Sequence, residues 1–485
     1  MKARICLTVV SLFTAMASGM EGQGDALQND KPKHQKYKLV DLGTLGGPNS
    51  YISSVPLVRM LTDSGMVAGS ADTASLEPFS PSINDANASN GFLWKDGVLN
   101  SLGPLPGGFS SFAGAMNEGG AVIGQSENGN VDPLIGFPEL HAVVWFSGHV
   151  VDLGSFGGNE SNPGDINNRG QVVGGALNLT ADPFANSFAS YAFFYPATTQ
   201  IHAFLWQGGE LQDLGTLGGP DSFAEFINER GQIAGLSYTD YAPNPGDGGQ
   251  PALHPFFWEN GKMTDVGTLG GAWGVPNGFN NRGQVVGESD LALDLTSHPF
   301  LWQAGRITDL GTLGGDYGAA YAINDSGEIV GEADLPGSQN HHGFIWRNGI
   351  MTDLGTLGSS SFNSFARYSN SKGQVVGKSA IDSTSFRHGT LWENGGPMID
   401  LNALIPMGSD LTIEDTYFIN ESGEIVARGV FPNGDEHAVL LIPDGDCDDS
   451  EARIAALQNK LAPSRQASTT QHRYRIPGRV TEHLN

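Results

Sequence analysis

A histidine recurs along this chain at a regular spacing, and histidine is a residue type that binds metals and transfers protons. Each copy begins a short apolar phrase, of which HAFLW (202–206) is the clearest example. A zinc site needs three or four ligands within about 2 Å of one ion, whereas single histidines at equivalent repeat positions lie a whole repeat apart. The sequence therefore predicts structural histidines and no metal site. The seven are His141, His202, His254, His298, His342, His388 and His437.

An aspartate recurs in the same way, at the start of a phrase best seen as DLGTLGG (213–219). Calcium loops of the D-x-D-x-D-G type are absent from the sequence, as are the G-x-S-x-G and H-E-x-x-H motifs of hydrolases and metalloproteases. We therefore predict that these aspartates accept hydrogen bonds from turn amides, and that the repeat carries no catalytic residue and no cofactor. They are Asp41, Asp152, Asp213, Asp265, Asp309, Asp353 and Asp400.

Residues that interrupt the repeat are better candidates for a binding site, because function can be added there without unfolding the scaffold. Two interruptions are rich in aromatic and acidic side chains, which suit the binding of sugars or polar chains. The alternative is that the aromatic rings only pack the loops against the protein. The predicted ligand-binding residues are Tyr191, Phe194, Tyr195, Tyr238, Asp240 and Tyr241.

A catalytic interpretation of the same loops is the rival hypothesis. Asp182, Asp240 and Asp247 lie in non-repeating segments, and a pair of carboxylates is what a glycoside hydrolase requires. Retaining enzymes of that class hold their two carboxyl groups about 5 to 5.5 Å apart, a distance that the sequence does not determine.

Three sequence phrases recur eight times in the same order, and they predict the strands and turns that position these residues. The aspartate phrase recurs every 44 to 61 residues. An N-x-x-G turn and a short apolar strand follow it, then the HAFLW phrase, which ends at a tight turn. Each copy thus contains four short strands and no helical period. Units of this kind predict an all-β fold, an eight-bladed β-propeller of four-stranded antiparallel blades.

Both ends of the repeat region are incomplete in a complementary way. The strand beginning at Tyr37 has the character of a fourth strand, and the last copy ends at its third strand, near Ile442. We therefore predict that the N-terminal strand pairs into the last blade and closes the propeller, which removes two free edges. Pro255 and Pro299 stand inside third strands, where we expect a later strand start or a bulge.

Four connections between second and third strands are long, and all belong to the first four copies. They cover 71–90, 127–140, 176–201 and 237–253. In an antiparallel blade these connections lie at the same end as the DLGTLGG loops, so one face is elaborated over half of the propeller. Long loops of this kind are often functional.

The chain ends differ from the repeats. Residues 1–17 have the basic start, apolar run and A-x-A-like site of a signal peptide, which predicts a secreted or periplasmic protein with no membrane span. We expect a polar leader at 18–36, the propeller at 37–443, and a mostly flexible tail at 444–485 with a short helix near 450–461.

Net charge limits the choice of partner. The formal charge is -27, and a nucleic-acid groove or an anionic membrane surface would need clustered Lys and Arg. We expect the protein to be a monomer that binds an extracellular polysaccharide or protein. Loss of the signal peptide would leave Cys447 as the one cysteine, so no intrachain disulfide is expected.

The phrases DLGTLGG, N-x-x-GQVVG and HAFLW resemble the HAF-type repeat of bacterial extracellular proteins, over residues 38–443. This resemblance implies export and a repeat scaffold without a shared catalytic site. Together with the loops, it predicts a secreted, non-catalytic binding or structural propeller that recognises an extracellular polymer or protein through the elaborated face. The alternative is a secreted glycoside hydrolase or lyase.

Overall fold

The computed structural model describes residues 35–52, 58–79, 87–133, 136–192, 197–244, 248–293, 295–337, 340–359, 361–382, 387–393 and 395–444. The predicted signal peptide lies outside these residues, as do nearly all of the polar leader and of the C-terminal tail with its short helix. The described residues confirm an all-β fold of four-stranded antiparallel sheets. In each repeat the strands pair in chain order, because each turn returns the chain alongside the strand just completed.

The described residues of the first four repeats form sixteen strands and one α-helix. Repeat 1 has β2 (Gly46–Tyr51), β3 (Val67–Leu76), β4 (Asn87–Lys95) and β5 (Val98–Leu102). Repeat 2 has β6 (Ser111–Met116), β7 (Val122–Val131), β8 (Pro138–Phe146) and β9 (His149–Asp152). Repeat 3 has β10 (Ser161–Ile166), β11 (Val172–Ala181), α1 (Ala185–Ala192), β12 (Thr199–Gln207) and β13 (Glu210–Gly215). Repeat 4 has β14 (Ser222–Ile227), β15 (Ile233–Tyr238), β16 (Leu253–Glu259) and β17 (Lys262–Asp265).

The last four repeats are shorter. Repeat 5 has β18 (Gly270–Phe279), β19 (Val285–Leu291), β20 (Ser297–Gln303) and β21 (Arg306–Asp309). Repeat 6 has β22 (Gly318–Ile323), β23 (Ile329–Asp334), β24 (His341–Arg347) and β25 (Ile350–Asp353). Repeat 7 has β26 (Ser364–Ser369), β27 (Val375–Ala380), β28 (Arg387–Trp392) and β29 (Ile399–Asp400), followed by a 3₁₀ turn (Leu401–Ala403). Repeat 8 has β30 (Thr412–Ile419), β31 (Ile425–Val430) and β32 (Glu436–Pro443).

The fourth strand of repeat 8 comes from the other end of the chain. Strand β1 (Tyr37–Asp41) pairs antiparallel with β32, so that Leu39 lies opposite Leu441. Repeats 4 and 5 are joined into one larger sheet by a single parallel pair, Leu253 with Trp273.

The third strand of each repeat is the core of its sheet. In β12 both faces are buried, as the alternation predicts, since Ala203 and Phe204 are both fully buried. The phenylalanine ring of the third strand packs where a glycine on the adjacent second strand leaves room, as Gly235 does for Phe256 in repeat 4. A Cβ atom on Gly235 would lie 2.7 Å from the Phe256 ring and 2.1 Å from the Phe223 carbonyl oxygen, so close packing requires glycine at this position of repeat 4.

A serine at the start of the first strand joins each of several repeats to the one before it. The Oγ atom of Ser222 accepts a hydrogen bond of 2.9 Å from the amide of Ala203, on the third strand of the preceding repeat. Equivalent bonds form between four other pairs of repeats: Gly91 to Ser111, Ala142 to Ser161, Gly343 to Ser364, and Ala438 to Ser50.

The two prolines break this pattern without breaking the strand. The expectation of a bulge or a later strand start is wrong, since β16 and β20 pass through Pro255 and Pro299 with no change of register. Proline lacks the amide that would donate to the serine, and glycine replaces the serine at positions 274 and 318. A Cβ atom on Gly318 would lie 2.9 Å from the Pro299 ring, so a serine would not fit there.

Candidate binding face

The recurring histidines and aspartates form pairs within their sheets. In repeat 3, His202 Nδ1 lies 2.8 Å from Asp213 on the adjacent fourth strand, and Asp213 also accepts a hydrogen bond of 2.7 Å from the Gly215 amide. The predicted role of the aspartates as turn acceptors is therefore observed, but sequence reasoning missed their histidine partners. The other pairs are His141 with Asp152, His254 with Asp265, His298 with Asp309, His342 with Asp353, His388 with Asp400, and His437 with Asp41.

These contacts change the acidity of the aspartates. Burial opposes ionisation of Asp213, but the hydrogen bond from His202 and the Gly215 amide outweigh it and lower the pKa of the carboxyl group. The pKa values of Asp152, Asp265 and Asp353 are lowered for the same reasons. Repeat 1 replaces the pair by Asn90 and Ser101, whose side chains are 3.1 Å apart. The pairs therefore act as structural links between third and fourth strands.

Three of the predicted ligand-binding residues lie in or beside one aromatic cluster. Tyr238 is fully buried, and its ring packs 5.1 Å from that of Phe188 on helix α1. Its hydroxyl donates a hydrogen bond of 3.0 Å to Gln250. Tyr191 is half-buried beside Phe188, whereas Tyr241 is 55% exposed and hydrogen-bonded to Gln200. Tyr238 therefore packs the loops, whereas Tyr241 is accessible to a ligand.

The remaining residues of the predicted set are more dispersed. Asp240 is exposed, and its carboxylate accepts a hydrogen bond of 2.8 Å from the Ala242 amide. Phe194 and Tyr195 lie outside the described residues, as does Asp247 of the catalytic hypothesis. Asp182, also of that hypothesis, is only 7% exposed and faces the fully buried Asp221. Asp182 and Asp240 thus occupy different environments.

Strand extensions form much of the elaborated face. In repeats 1 to 3 the second strand is ten residues long, against six or seven in repeats 4 to 8. Its last residue pairs with the start of a nine-residue third strand, so the segments predicted as loops at 71–90, 127–140 and 176–201 are partly two-stranded ribbons. We name them ribbons 1, 2 and 3; their second-strand parts are 73–76, 128–131 and 178–181. In the fourth segment, 237–253, the described residues beyond Tyr238 form an isolated bridge between Asn244 and Gln250.

The ribbons present an uncharged surface along their second strands. Each ends in exposed residues, and each carries one exposed aliphatic side chain: Leu76 (74% exposed), Val131 (46%) and Leu179 (78%). The residues around them are small or carry hydroxyl and amide groups, including Asn128, which donates to Glu139. Sequence reasoning identified the lengthened segments but not their structure, because loop length alone does not indicate strand pairing.

A second feature that sequence reasoning missed is a cavity of about 470 Å³, lined by residues of all eight repeats. Its wall is formed by first strands. Burial raises the pKa of Asp165 to about 6, although the amides of Ile227 and Ile166 and the charge of Arg59 act in the opposite direction. Arg59 also pairs with Glu118 at 3.4 Å. The polar groups of this wall are thus largely paired with one another.

The recurring asparagines stand at one end of that cavity and connect consecutive repeats. The Oδ1 atom of Asn228 accepts hydrogen bonds from the amides of Arg230 and Gln232, and its Nδ2 donates to the carbonyl of Asn280 in the next repeat. The same link joins repeats 2 through 8 in series and continues from Asn420 to the Thr62 carbonyl of repeat 1. The turn residue predicted from backbone preference is therefore also a junction residue.

Within the described residues no group of three or more His, Cys, Asp or Glu side chains is arranged to hold a metal ion. Helices long and apolar enough to span a membrane are absent from the same part of the chain.

Comparison with known proteins gives only distant similarity. No family model and no curated sequence matches the chain. The solved structure of dipeptidyl peptidase 4 from Porphyromonas gingivalis is similar at 10% identity with a TM-score of 0.47, over 76% of this chain and 56% of that one. TolB from Acinetobacter baumannii is similar at 10% identity with a TM-score of 0.29, over 63% of this chain and 76% of that one. The chain thus spans little more than half of the peptidase's length.

Proposed function

We propose that this chain is a closed eight-bladed β-propeller of the HAF-repeat type, exported from the cell, that binds an extracellular polymer or protein and performs no catalysis. Three links between the chain ends support closure: the pairing of β1 with β32, the contact of His437 with Asp41 at 2.8 Å, and the bond from Asn420 to Thr62 at 2.9 Å. Each repeats a link found within or between neighbouring repeats.

The observation that carries the binding proposal is the set of three ribbons on consecutive repeats. Repeats 4 to 8 show that the sheet is complete with a six- or seven-residue second strand, so the extra residues of repeats 1 to 3 are not needed for the repeat itself. They place Leu76, Val131 and Leu179 in solvent on three consecutive repeats, and exposed apolar side chains that form a common patch mark interaction surfaces. The second-strand parts of the ribbons carry hydroxyl and amide groups and no charged side chain, which favours a neutral polysaccharide over a charged polymer.

A glycan array tests the proposal, with reducing-end release measured on the same oligosaccharides. We expect binding without turnover, and we expect Leu76→Asp, Val131→Asp and Leu179→Asp together to abolish it. The matched control is Phe146→Asp with Ile350→Asp, which charges two exposed residues beside turns at the opposite end of their sheets. Equal loss in both variants, or retention of binding by the ribbon variant, would contradict the assignment of the face.

The glycoside hydrolase or lyase alternative predicts turnover in the same assay. Asp182 is buried against Asp221, so Asp240 is the described member of the predicted acidic set that a substrate can reach. Reducing ends released by the unmodified protein, and lost in Asp240→Asn, would replace the binding proposal by the enzymatic one.

A further inference from the structure

A buried acidic residue directly follows the second strand in each of repeats 1 to 3. These residues are Glu77, Asp132 and Asp182, with exposed fractions of 3%, 5% and 7%. Each precedes the connection from the second to the third strand of its own repeat. A buried carboxylate needs hydrogen-bond donors, because isolation of its charge from water is costly.

At the first two positions the next repeat supplies that donor. The hydroxyl of Ser110 donates to Glu77 at 2.6 Å, and the side-chain Nδ2 of Asn159 donates to Asp132 at 2.7 Å. Both donors precede the first strand of the following repeat. Two of the three buried acids are thus satisfied by neutral side chains.

At the third position the next repeat supplies another acid. Asp221 is fully buried, and its Oδ1 accepts a hydrogen bond of 2.8 Å from the Ile201 amide. Among the described residues, no donor group forms a hydrogen bond with its Oδ2 or with either carboxyl oxygen of Asp182. The two carboxyl groups face each other, and two carboxylates bond to one another only when a proton lies between them.

The pair stands at the base of helix α1. The Asp182 amide donates to the Thr198 carbonyl at 3.0 Å, which closes the segment that contains the helix. From there α1 packs across the junction onto repeat 4, where Phe188 lies against Tyr238. Phe223 and Leu253 belong to the same buried cluster.

We propose that Asp182 and Asp221 share one proton and form a pH-sensitive latch, which holds α1 over the Tyr238 cluster and releases it when the proton is lost. Release exposes Tyr238, Phe223 and Leu253 beside the ribbons. The latch would thereby regulate the binding face, and this consequence rests on the proposed function. The opening of α1 is independent of that function.

The polar groups around the pair fit this assignment. Burial, and then the charge of Asp182, raise the pKa of Asp221 well above its ordinary value, opposed by the Ile201 amide. On the neighbouring elements His202 is paired with Asp213, the Tyr238 hydroxyl with Gln250, and the Tyr241 hydroxyl with Gln200. Asp240 is exposed and bonded to the Ala242 amide. An acid with a raised pKa stabilises the closed form at low pH and loses that effect as the pH rises.

Hydrogen exchange of the full chain, without ligand, tests the latch. After correction for intrinsic exchange rates, we expect the protection of residues 185–191 to fall with rising pH, by at most about tenfold per pH unit for one released proton. In Asp221→Asn the new amide can donate to Asp182, as Asn159 donates to Asp132, so protection should become independent of pH. Asp182→Asn should give the same result and covers the case in which the first variant does not fold.

The reciprocal variant is the matched control. Asn159→Asp places an acid opposite Asp132, and we expect it to make the exchange of ribbon 2 pH-dependent while leaving α1 unchanged. Protection of α1 that does not vary with pH in the unmodified protein would overturn the proposal. The proposal would also be overturned if calcium ions restored the protection of α1 at pH 8 only when both aspartates are present, since that result would assign the pair to a metal. Neither outcome depends on whether a glycan binds.

Discussion

At the scale of single residues, where one repeat departs from a contact that the other repeats share, both partners of that contact differ together. Asn90 and Ser101 stand where other repeats have a histidine and an aspartate, and they preserve a side-chain hydrogen bond. Pro299 and Gly318 stand where others have an amide donor and a serine, and they remove donor and acceptor at once. Loss of both partners leaves no buried polar group unsatisfied, whereas loss of one does.

The proline and glycine pair can be tested by a double-mutant cycle. Pro299→Ala should leave a buried amide without an acceptor, at a cost of about 1 to 3 kcal/mol. Gly318→Ser should crowd the Pro299 ring at a similar cost. The double variant recreates the bond seen between Ala203 and Ser222, so it should lose less stability than the sum of the single changes. Urea denaturation gives the three values, and additive losses would show that the two positions are independent.

The histidine and aspartate pairs predict sensitivity to acid. Because the folded pKa values of Asp152, Asp213, Asp265 and Asp353 are lowered, each carboxylate stabilises the fold above its unfolded pKa of about 4. That stability is lost as the pH falls through the folded values. The thermal midpoint should therefore drop below about pH 4, and less steeply in Asp213→Asn. Glu210→Gln, which removes an exposed carboxylate from the same strand, is the control; if it flattens the profile equally, the pairs are not the cause.

At the scale of elements, the N-x-x-G turn combines two tasks in one side chain. Asparagine Oδ1 accepts amides of its own turn while Nδ2 reaches the next repeat. In repeat 1 the Oγ1 atom of Thr62 accepts the Met66 amide at 3.0 Å, but threonine has no amide group to donate to repeat 2. The first repeat therefore retains the turn and lacks the side-chain link.

Substitution at Asn228 separates these two tasks. Asn228→Ala removes acceptor and donor together, and we expect a loss of about 2 to 4 kcal/mol because the part-buried amide of Arg230 and the buried amide of Gln232 lose their partner. Asn228→Thr retains an acceptor, as Thr62 does, so it should cost roughly half as much. Denaturation midpoints distinguish the two variants. Equal losses would mean that the link to Asn280 accounts for the whole effect.

At the scale of the whole molecule, the first and last strands of the described residues belong to one sheet. Five residues of β1 complete repeat 8, and Asp41 supplies the partner of His437. In the closed propeller that we infer, β1 and β32 are neighbours in one blade although they are not consecutive in the chain, so only their contacts hold them together. Its loss would leave the edge of β32 open, and open strand edges promote association.

Removal of the chain through Asp41 tests that role. We expect a loss of several kcal/mol, at about 1 kcal/mol for each hydrogen bond removed, and association that increases with protein concentration. Removal through His34 keeps β1 and is the control. Thermal unfolding and light scattering measure the two effects. A truncation through Asp41 that stays monomeric and equally stable would argue against closure by this strand.

Much of this architecture is local in origin and can be predicted from the sequence. The alternation in HAFLW, the N-x-x-G turns and their regular return determine four-stranded antiparallel sheets, because strand period and turn preference act over a few residues. The same repetition locates the elaborated segments of repeats 1 to 3, and it indicates that histidines spaced a repeat apart do not converge on an ion.

Contacts between residues distant in the chain were decided by tertiary structure. Tyr238 and Tyr241 are three residues apart, yet one is buried under α1 and the other is exposed. Asp182 resembles a catalytic acid in the sequence, and packing places it against Asp221. Composition and spacing do not encode which side chains face each other across a junction. That depends on how neighbouring sheets pack, so the serine and proline exchange and the buried acid pair became visible only in three dimensions.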